Sequence, residues 1–196
     1  MGLRVVSARW SDLAVRRSVL QTLAETPLGA LATSGPRGRA HVNTAYFAYS
    51  PRLEIVFLSE PTSEHMRNLA RSPSAGFAVF RSDQRWGGSD RGLQLFGRGA
   101  VVADSMRPAA EAIYARRFPL YREAMRSRSP RFARLAAGLR ELVFGVVQPR
   151  EIKLLDERRF PGRLVTLRLP SGRSRGIPTS SAGRVSSGPV FKLSTR

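Results

Sequence analysis

The 196-residue chain contains no cysteine. Disulfides, thiolate nucleophiles and cysteine-ligated metals are therefore excluded. Histidine is almost as scarce: His41 and His65 are the whole supply, neither lies in an HExxH-like spacing, and no metal site is expected. No run of about 18 apolar residues occurs, and the opening MGLRVVSARWSD lacks the unbroken apolar stretch of a secretory signal. A soluble, cytoplasmic protein without membrane association is the expectation. Lysine is limited to Lys153 and Lys192, and acidic residues number 14 against 33 basic ones, giving a formal charge of +19. Arginine suits bidentate phosphate contacts, but a GC-rich coding bias also substitutes it for lysine. Because the basic residues are scattered over helices and turns, a solvated basic surface is the favoured reading, with nucleic acid as the alternative partner.

What is present divides into a body and a tail. Residues 1–170 carry alternating apolar patterns that fit one domain with one core. From Ser171 the chain turns to serine, glycine, proline and arginine without an acidic residue, so 171–196 is expected to be a disordered basic tail. In the body, SDLAVRRSVLQTLAET predicts a helix with Ser11 as its cap and Pro27 as its stop. LGALATS, Gly35-Pro36-Arg37-Gly38 and AHVNTAYFAY read as strand, tight turn and strand, and LEIVFLS as a third strand. TSEHMRNLARSP predicts a short helix capped by Thr62 or Ser63. AGFAVF and RGLQLFGRGAVV are strands around a polar loop that carries Trp86. Residues 106–126 are helical with a break imposed by Pro119, 131–144 add a second helical pattern, and VFGVVQP, EIKLLD and LVTLRL close the body as short strands. The fold class is mainly β with helices.

Several stretches could carry chemistry. Gly97-Arg98-Gly99 begins like a dinucleotide fingerprint, but Val102 stands where the third glycine is needed and the chain continues as strand. The two glycines read instead as bends in a strand. At the strand-to-helix junction FLSEPTSEHMRN, the hydroxyls of Ser59, Thr62 and Ser63 lie beside the free N–H groups of a helix start, which is a ready anion site. His65 and Arg67 could add charge there; plain capping is the competing explanation. Trp86 either stacks on a flat ring or closes a contact. Tyr114, Arg116, Arg117 and Phe118 form either a functional lip or an amphipathic helix end. Asn43, polar within a strand of apolar residues, faces solvent or is satisfied by a ligand or backbone group.

The run AHVNTAYFAYSPRLEIVFLSEPTSEHMRNLARSPSAGFAVF followed by RGLQLFGRGAVV resembles the pyridoxamine 5'-phosphate oxidase-like FMN-binding split barrels. With AIYARRFPLY and REIKLLDERRFPGRLVTLRL the chain is similar to a little-characterised bacterial branch of that superfamily over about residues 10–169. The resemblance implies a six-stranded antiparallel split β-barrel with an N-terminal helix, a short phosphate-side helix and an inserted helical segment. It further implies a homodimer that holds FMN in a cleft at the subunit interface. Ser63 matches the phosphate-contacting hydroxyl, Ser59 the small hydroxyl residue before it, and His65 stands where the oxidases carry a lysine. Asn43 falls near the strand position of a phosphate-binding arginine. Gly92 replaces the glutamine of the RQV motif, with Gln94 two residues on and on the same face. The cofactor set implied is Asn43, Thr44, Ser59, Thr62, Ser63, His65 and Gln94, with no catalytic residue assigned and no metal. The missing C-terminal tryptophan and arginine motif argues against a true pyridoxamine 5'-phosphate oxidase. The resulting expectation is an FMN-binding oxidoreductase of unassigned substrate. The alternatives are a deazaflavin-dependent reductase, or a cofactor-free dimer that binds a polyanion.

Overall fold

The computed structural model describes residues 2–170, so the expected disorder of 171–196 lies outside the described residues. In chain order the elements are β1 (Arg4–Ala8), α1 (Leu13–Glu25), β2 (Leu28–Ser34), β3 (Ala40–Tyr49), β4 (Ile55–Ser59), α2 (Glu64–Arg71), β5 (Ser74–Phe80) and β6 (Arg91–Val101). They continue with α3 (Arg107–Arg117), α4 (Pro119–Arg126), α5 (Pro130–Glu141), β7 (Val143–Asp156) and β8 (Arg163–Arg168). The strand order β7-β4-β3-β2-β5-β6, with β6 pairing back onto β7, closes a six-stranded antiparallel barrel. β8 pairs antiparallel with β7 outside that ring, and β1 lies parallel to β8.

Local chemistry accounts for most of these boundaries. α1 is capped by Asp12, one residue later than the Ser11 of the sequence reading, because the Asp12 carboxylate accepts from Ala14 N at 3.0 Å and Val15 N at 3.2 Å. Its buried Val15, Val19 and Leu23 recur at helical spacing and plug into the barrel core. At Pro119 the helical segment breaks as expected: Phe118 is extended, with φ −114° and ψ 91°, and serves as the joint between α3 and α4.

The core has two compartments. Leu31, Phe47, Phe57, Phe77, Leu95 and Ile152 fill the barrel. On the other face of β4 and β7, Val56, Phe144 and Val146 pack against Tyr114 and Tyr121 of the helical insertion. β4 and the first part of β7, residues 143–147, are therefore covered on both faces, which is why IVFL and VFGVV read as unbroken apolar runs, while 151–156 alternate.

Two expected short strands, VFGVVQP and EIKLLD, are one continuous β7. The interruption that suggests a break is Pro149, which cannot donate to the ladder. The barrel accommodates it with a bulge: Gly97 pairs with Pro149 but Phe96 with Glu151, leaving Arg150 as the extra residue. Gly97 and Gly99 belong to the same device. A Cβ on Gly97 would lie 2.0 Å from the Gln148 carbonyl oxygen, and one on Gly99 would lie 2.7 Å from Leu69 of α2. The glycine pair thus serves close approach of strand to strand and of strand to helix. No helix among the described residues is long and apolar enough to cross a membrane.

Candidate functional site

β4 ends at Ser59, and the Pro61-Thr62-Ser63 sequence turns the chain into α2. α2 is held in place by Met66 and Leu69, both buried in the barrel core, and by Asn68, whose side-chain amide donates to Thr33 Oγ1 at 3.2 Å. This anchorage fixes the first turn of α2 over the end of β4. Ser63 occupies the N-cap position, yet its side chain makes no capping bond. Its hydroxyl lies instead 3.0 Å from Ser59 Oγ and 3.1 Å from His65 Nε2, and Ser59 Oγ lies 2.6 Å from the same nitrogen. Two hydroxyls and one imidazole therefore close a triangle at the helix start, while the first N–H groups of α2 are left without a side-chain cap.

His41, on β3, joins this cluster. Its ring stacks on that of His65 with centroids 6.0 Å apart and planes 17° from parallel, so the only two imidazoles in the chain are neighbours. His41 Nδ1 lies 3.5 Å from the Glu64 carboxylate, whose other oxygen pairs with Arg39, and His41 Nε2 is buried without a hydrogen-bond partner. Burial, and then the neighbouring His41, push the pKa of His65 below its ordinary 6.5. In the absence of a ligand this favours the neutral His65 imidazole, and an anion brought to it would favour the imidazolium. Arg67 borders the site with its guanidinium folded onto the Thr62 carbonyl.

Of the remaining residues singled out in the sequence, Thr44, Gln94 and Trp86 lie elsewhere on the barrel, while Asn43 and Thr62 border the cluster. Asn43 and Thr44 point to opposite faces of β3. Asn43 shares the inward face with His41, donates its amide to the Thr44 carbonyl at 3.2 Å, and keeps its own Oδ1 buried without a partner. Thr44 is exposed on the outer face, in register with Ala30; Ala30 pairs with Ala78, and Ala78 with Gln94. Thr44 and Gln94 are thus the two polar ends of one row across four strands, about 14 Å apart from the usual strand spacing, with only alanine between them. The neighbouring row, Val42-Ala32-Gly76-Phe96, continues the same low floor. An open cleft of about 680 Å³ borders it, lined by Thr26, Leu28, Ala30, Thr44, Phe80 and Arg81. That volume is in the range of small-molecule sites. Trp86, on the β5–β6 loop, is fully exposed. Thr62 is exposed beside the triangle and contributes its carbonyl to Arg67.

The model of the family described as pyridoxamine 5'-phosphate oxidase matches residues 16–143. The chain belongs to this family. The matched segment runs from α1 to the start of β7 and so includes the triangle, the floor and the cleft. No curated protein matches the chain. Among solved structures, this family member is similar to a conserved hypothetical protein from Mycobacterium tuberculosis, with 18% identity, a TM-score of 0.57, and coverage of 82% of this chain and 91% of the other. It is also similar to a heme binding protein from Mycobacterium smegmatis, with 18% identity and a TM-score of 0.58, where 77% of this chain spans 57% of that one. A pyridoxamine 5'-phosphate oxidase-related, FMN binding protein from Nostoc punctiforme aligns at 16% identity and a TM-score of 0.50 over 76% of this chain and 84% of that one. At such identities the likeness shows the shared fold.

Among the described residues, no group of three or more histidine, aspartate or glutamate side chains gathers as a metal site. Two features of the site were not legible in the sequence. His41 was unremarkable as a strand residue, although the period-two pattern that puts 41, 43, 45 and 47 on one face was available to find it. The cap hydroxyl turned away from its own helix is a tertiary effect, decided by where Ser59 and His65 come to rest.

Proposed function

We propose that this protein binds FMN as a homodimer and acts as a flavin-dependent oxidoreductase. The observation that carries the reading is the triangle of Ser59, Ser63 and His65 at a helix start whose N–H groups lack a side-chain cap. Hydroxyls, an imidazole and free helix N–H groups together match the needs of a phosphate monoester. The donor set therefore fits the group. When bound, the isoalloxazine ring would supply the redox chemistry, and the protein its orientation and shielding.

In this reading Ser59, Ser63 and the α2 N–H groups hold the phosphate, and His65 takes up a proton to balance it. The alanine floor between Thr44 and Gln94 admits a flat ring, because no side chain longer than a methyl rises from it along that row. Val42, Tyr46, Phe80 and Phe96 are exposed on this same face, and a second copy of the chain would cover them. Among the described residues no side chain stands out as an acid or base, and none is assigned that role.

The test is the visible spectrum of the purified full-length protein, before and after titration with FMN. The expected result is the two-banded absorption of an oxidised flavin, and a tenfold or greater loss of FMN affinity in Ser63→Ala. Loss of one hydrogen bond to a charged group is worth about 1.5–3 kcal/mol, or roughly 10- to 150-fold in Kd. A protein that stays colourless after incubation with FMN overturns the proposal, and a Soret band in its place would replace FMN by heme.

A further inference from the structure

The helical insertion between residues 107 and 141 carries nine arginines against three glutamates. Seven of these arginines are exposed: Arg116, Arg122, Arg126, Arg128, Arg131, Arg134 and Arg140. Outside the insertion, Arg39, Arg81, Arg91 and Arg159 are each matched to a carboxylate, while others such as Arg17, Arg71 and Arg168 are exposed without an ion pair, so the insertion is marked by the density of its arginines. None of the seven takes part in an ion pair among the described residues.

Some of these positions suit the helices that bear them and others do not. Arg116, Arg126 and Arg140 lie in last turns, where a cation suits the helix dipole. Arg131 lies in the first turn of α5, where a cation is repelled and where no acidic residue offsets it. Arg122 and Arg126 are four residues apart on α4, and Arg131 and Arg134 three apart on α5, so each pair sets like charges side by side. Arg128 lies in the three-residue connection between the two helices. Helix stability accounts for the last-turn arginines but not for Arg131 or the like-charge pairs, and no ion pair among the described residues offsets them; an external polyanion would.

We propose that the exposed arginines of α4, α5 and their connection, Arg122, Arg126, Arg128, Arg131 and Arg134, dock on the phosphodiester backbone of a nucleic acid duplex. A lipid surface fits less well. The apolar faces of α4 and α5 are already spent on Tyr121, Ala124, Phe132 and Ala136 inside the protein, and only Leu120 and Leu135 remain as large exposed apolar side chains on these helices. An interfacial helix needs a wide free apolar face. Among the described residues no exposed aromatic ring lies on α4 or α5 to stack on a base, so recognition is by phosphate and independent of sequence.

The experiment is binding of the full-length protein to a short mixed-sequence DNA duplex over a salt series, with the same sequence as an RNA duplex and with anionic phospholipid vesicles as further arms. Engagement of four or five arginines gives a slope of log K against log salt of about −4 on DNA. Affinity then falls roughly two hundred-fold for a fourfold rise in salt. Arg122→Gln with Arg126→Gln, and separately Arg131→Gln with Arg134→Gln, should each flatten the slope by about 2, while the corresponding lysine pairs retain it. The tail, with its five basic residues, is present in every variant, so the differences read the helical face alone. The exposed positions leave the core intact, and circular dichroism of each variant checks this. Stronger binding to RNA than to DNA would name the source of the backbone. The proposal is overturned by any of three results: no duplex binding at low salt, slopes unchanged in both glutamine pairs, or binding to vesicles without binding to duplex.

Discussion

Gly97→Ala is a direct test of why β6 carries its glycines. The added Cβ would meet the Gln148 carbonyl oxygen at 2.0 Å and Pro149 Cα at 2.8 Å, both on the backbone of β7 at the bulge. Ordinary carbon contacts lie near 3.5–4.0 Å, so two paired strands must separate by more than an ångström, and no flexible side chain is available to yield instead. Overpacking of this kind costs about 1–3 kcal/mol, and a rigid backbone neighbour puts the cost near the upper end. Alanine recovers about 0.5–1 kcal/mol of conformational entropy relative to glycine. The net loss is about 2 kcal/mol, or a fall in Tm of about 4–8 °C for a domain of this size. Gly76→Ala on β5 is the matched control, since its Cβ would find nothing nearer than 3.7 Å and should leave Tm unchanged or slightly raised. Differential scanning fluorimetry of the two variants decides the matter. If Gly97→Ala melts within a degree of Gly76→Ala, the bulge is soft and the close-approach argument for β6 is wrong.

Other consequences can be measured in the same way. Because His65 is held below its ordinary 6.5, the unfolded chain binds its proton first as pH falls. Its contribution is complete above that value and is lost as pH drops from 6.5 toward the lowered native value, a dependence that thermal melts should show and that His65→Gln should remove. Phosphate-type ligands reverse this preference, so calorimetric titration of FMN in buffers of different ionisation enthalpy should reveal proton uptake on binding. Arg117 donates to the carbonyls of Leu23 at 2.7 Å and Thr26 at 2.9 Å and lies over the Phe47 ring at 4.5 Å. Arg117→Ala leaves the end of α1 uncapped and should cost about 2–3 kcal/mol, seen as a lower denaturant midpoint. Asp156 is buried, which pushes its pKa up, but hydrogen bonds from Ser18 at 2.5 Å and Arg159 at 3.1 Å outweigh this and leave it below the ordinary carboxylate value. Its stabilisation is present above the unfolded value and is lost as pH falls through the native one, so Asp156→Asn should flatten the acid limb of the stability curve.

The architecture was largely legible because its punctuation is local. Pro27, Pro61, Pro73 and Pro119 end or break elements where a missing N–H or a ring clash forbids continuation, and the apolar periods between them switch between two and 3.6. What escaped was set by distant partners. RVVSA, as β1, offers only Val5-Val6 as a local strand signal; its pairing is supplied by the β8 edge 159 residues away, where Arg4 meets Arg163. Arg117 looked like part of an amphipathic helix end, yet its guanidinium reaches α1 and the aromatic rings of β3. At the site, the hydroxyls and His65 could be named from the junction sequence. Strand alternation already puts Asn43 and Thr44 on opposite faces, but the contribution of His41, and which of the two residues is turned inward, depend on which face of β3 the closed barrel encloses.

The pairing of β4 with β7 joins Val56 to Val146, and that of β1 with β8 joins the two ends of the described body. On a ribosome the chain emerges from one end only. The first five barrel strands and α2 are therefore synthesised with an open edge on β4 and another on β6, and neither can be satisfied until residues 143–156 appear. The arginine-bearing helices are made in this interval, immediately before the strand that seals both edges. Loop closure over such separations is slow compared with local pairing, and exposed edges invite association with other chains. Yield from cells should depend more on how the nascent protein is sheltered through its last quarter than on the stability of the finished barrel.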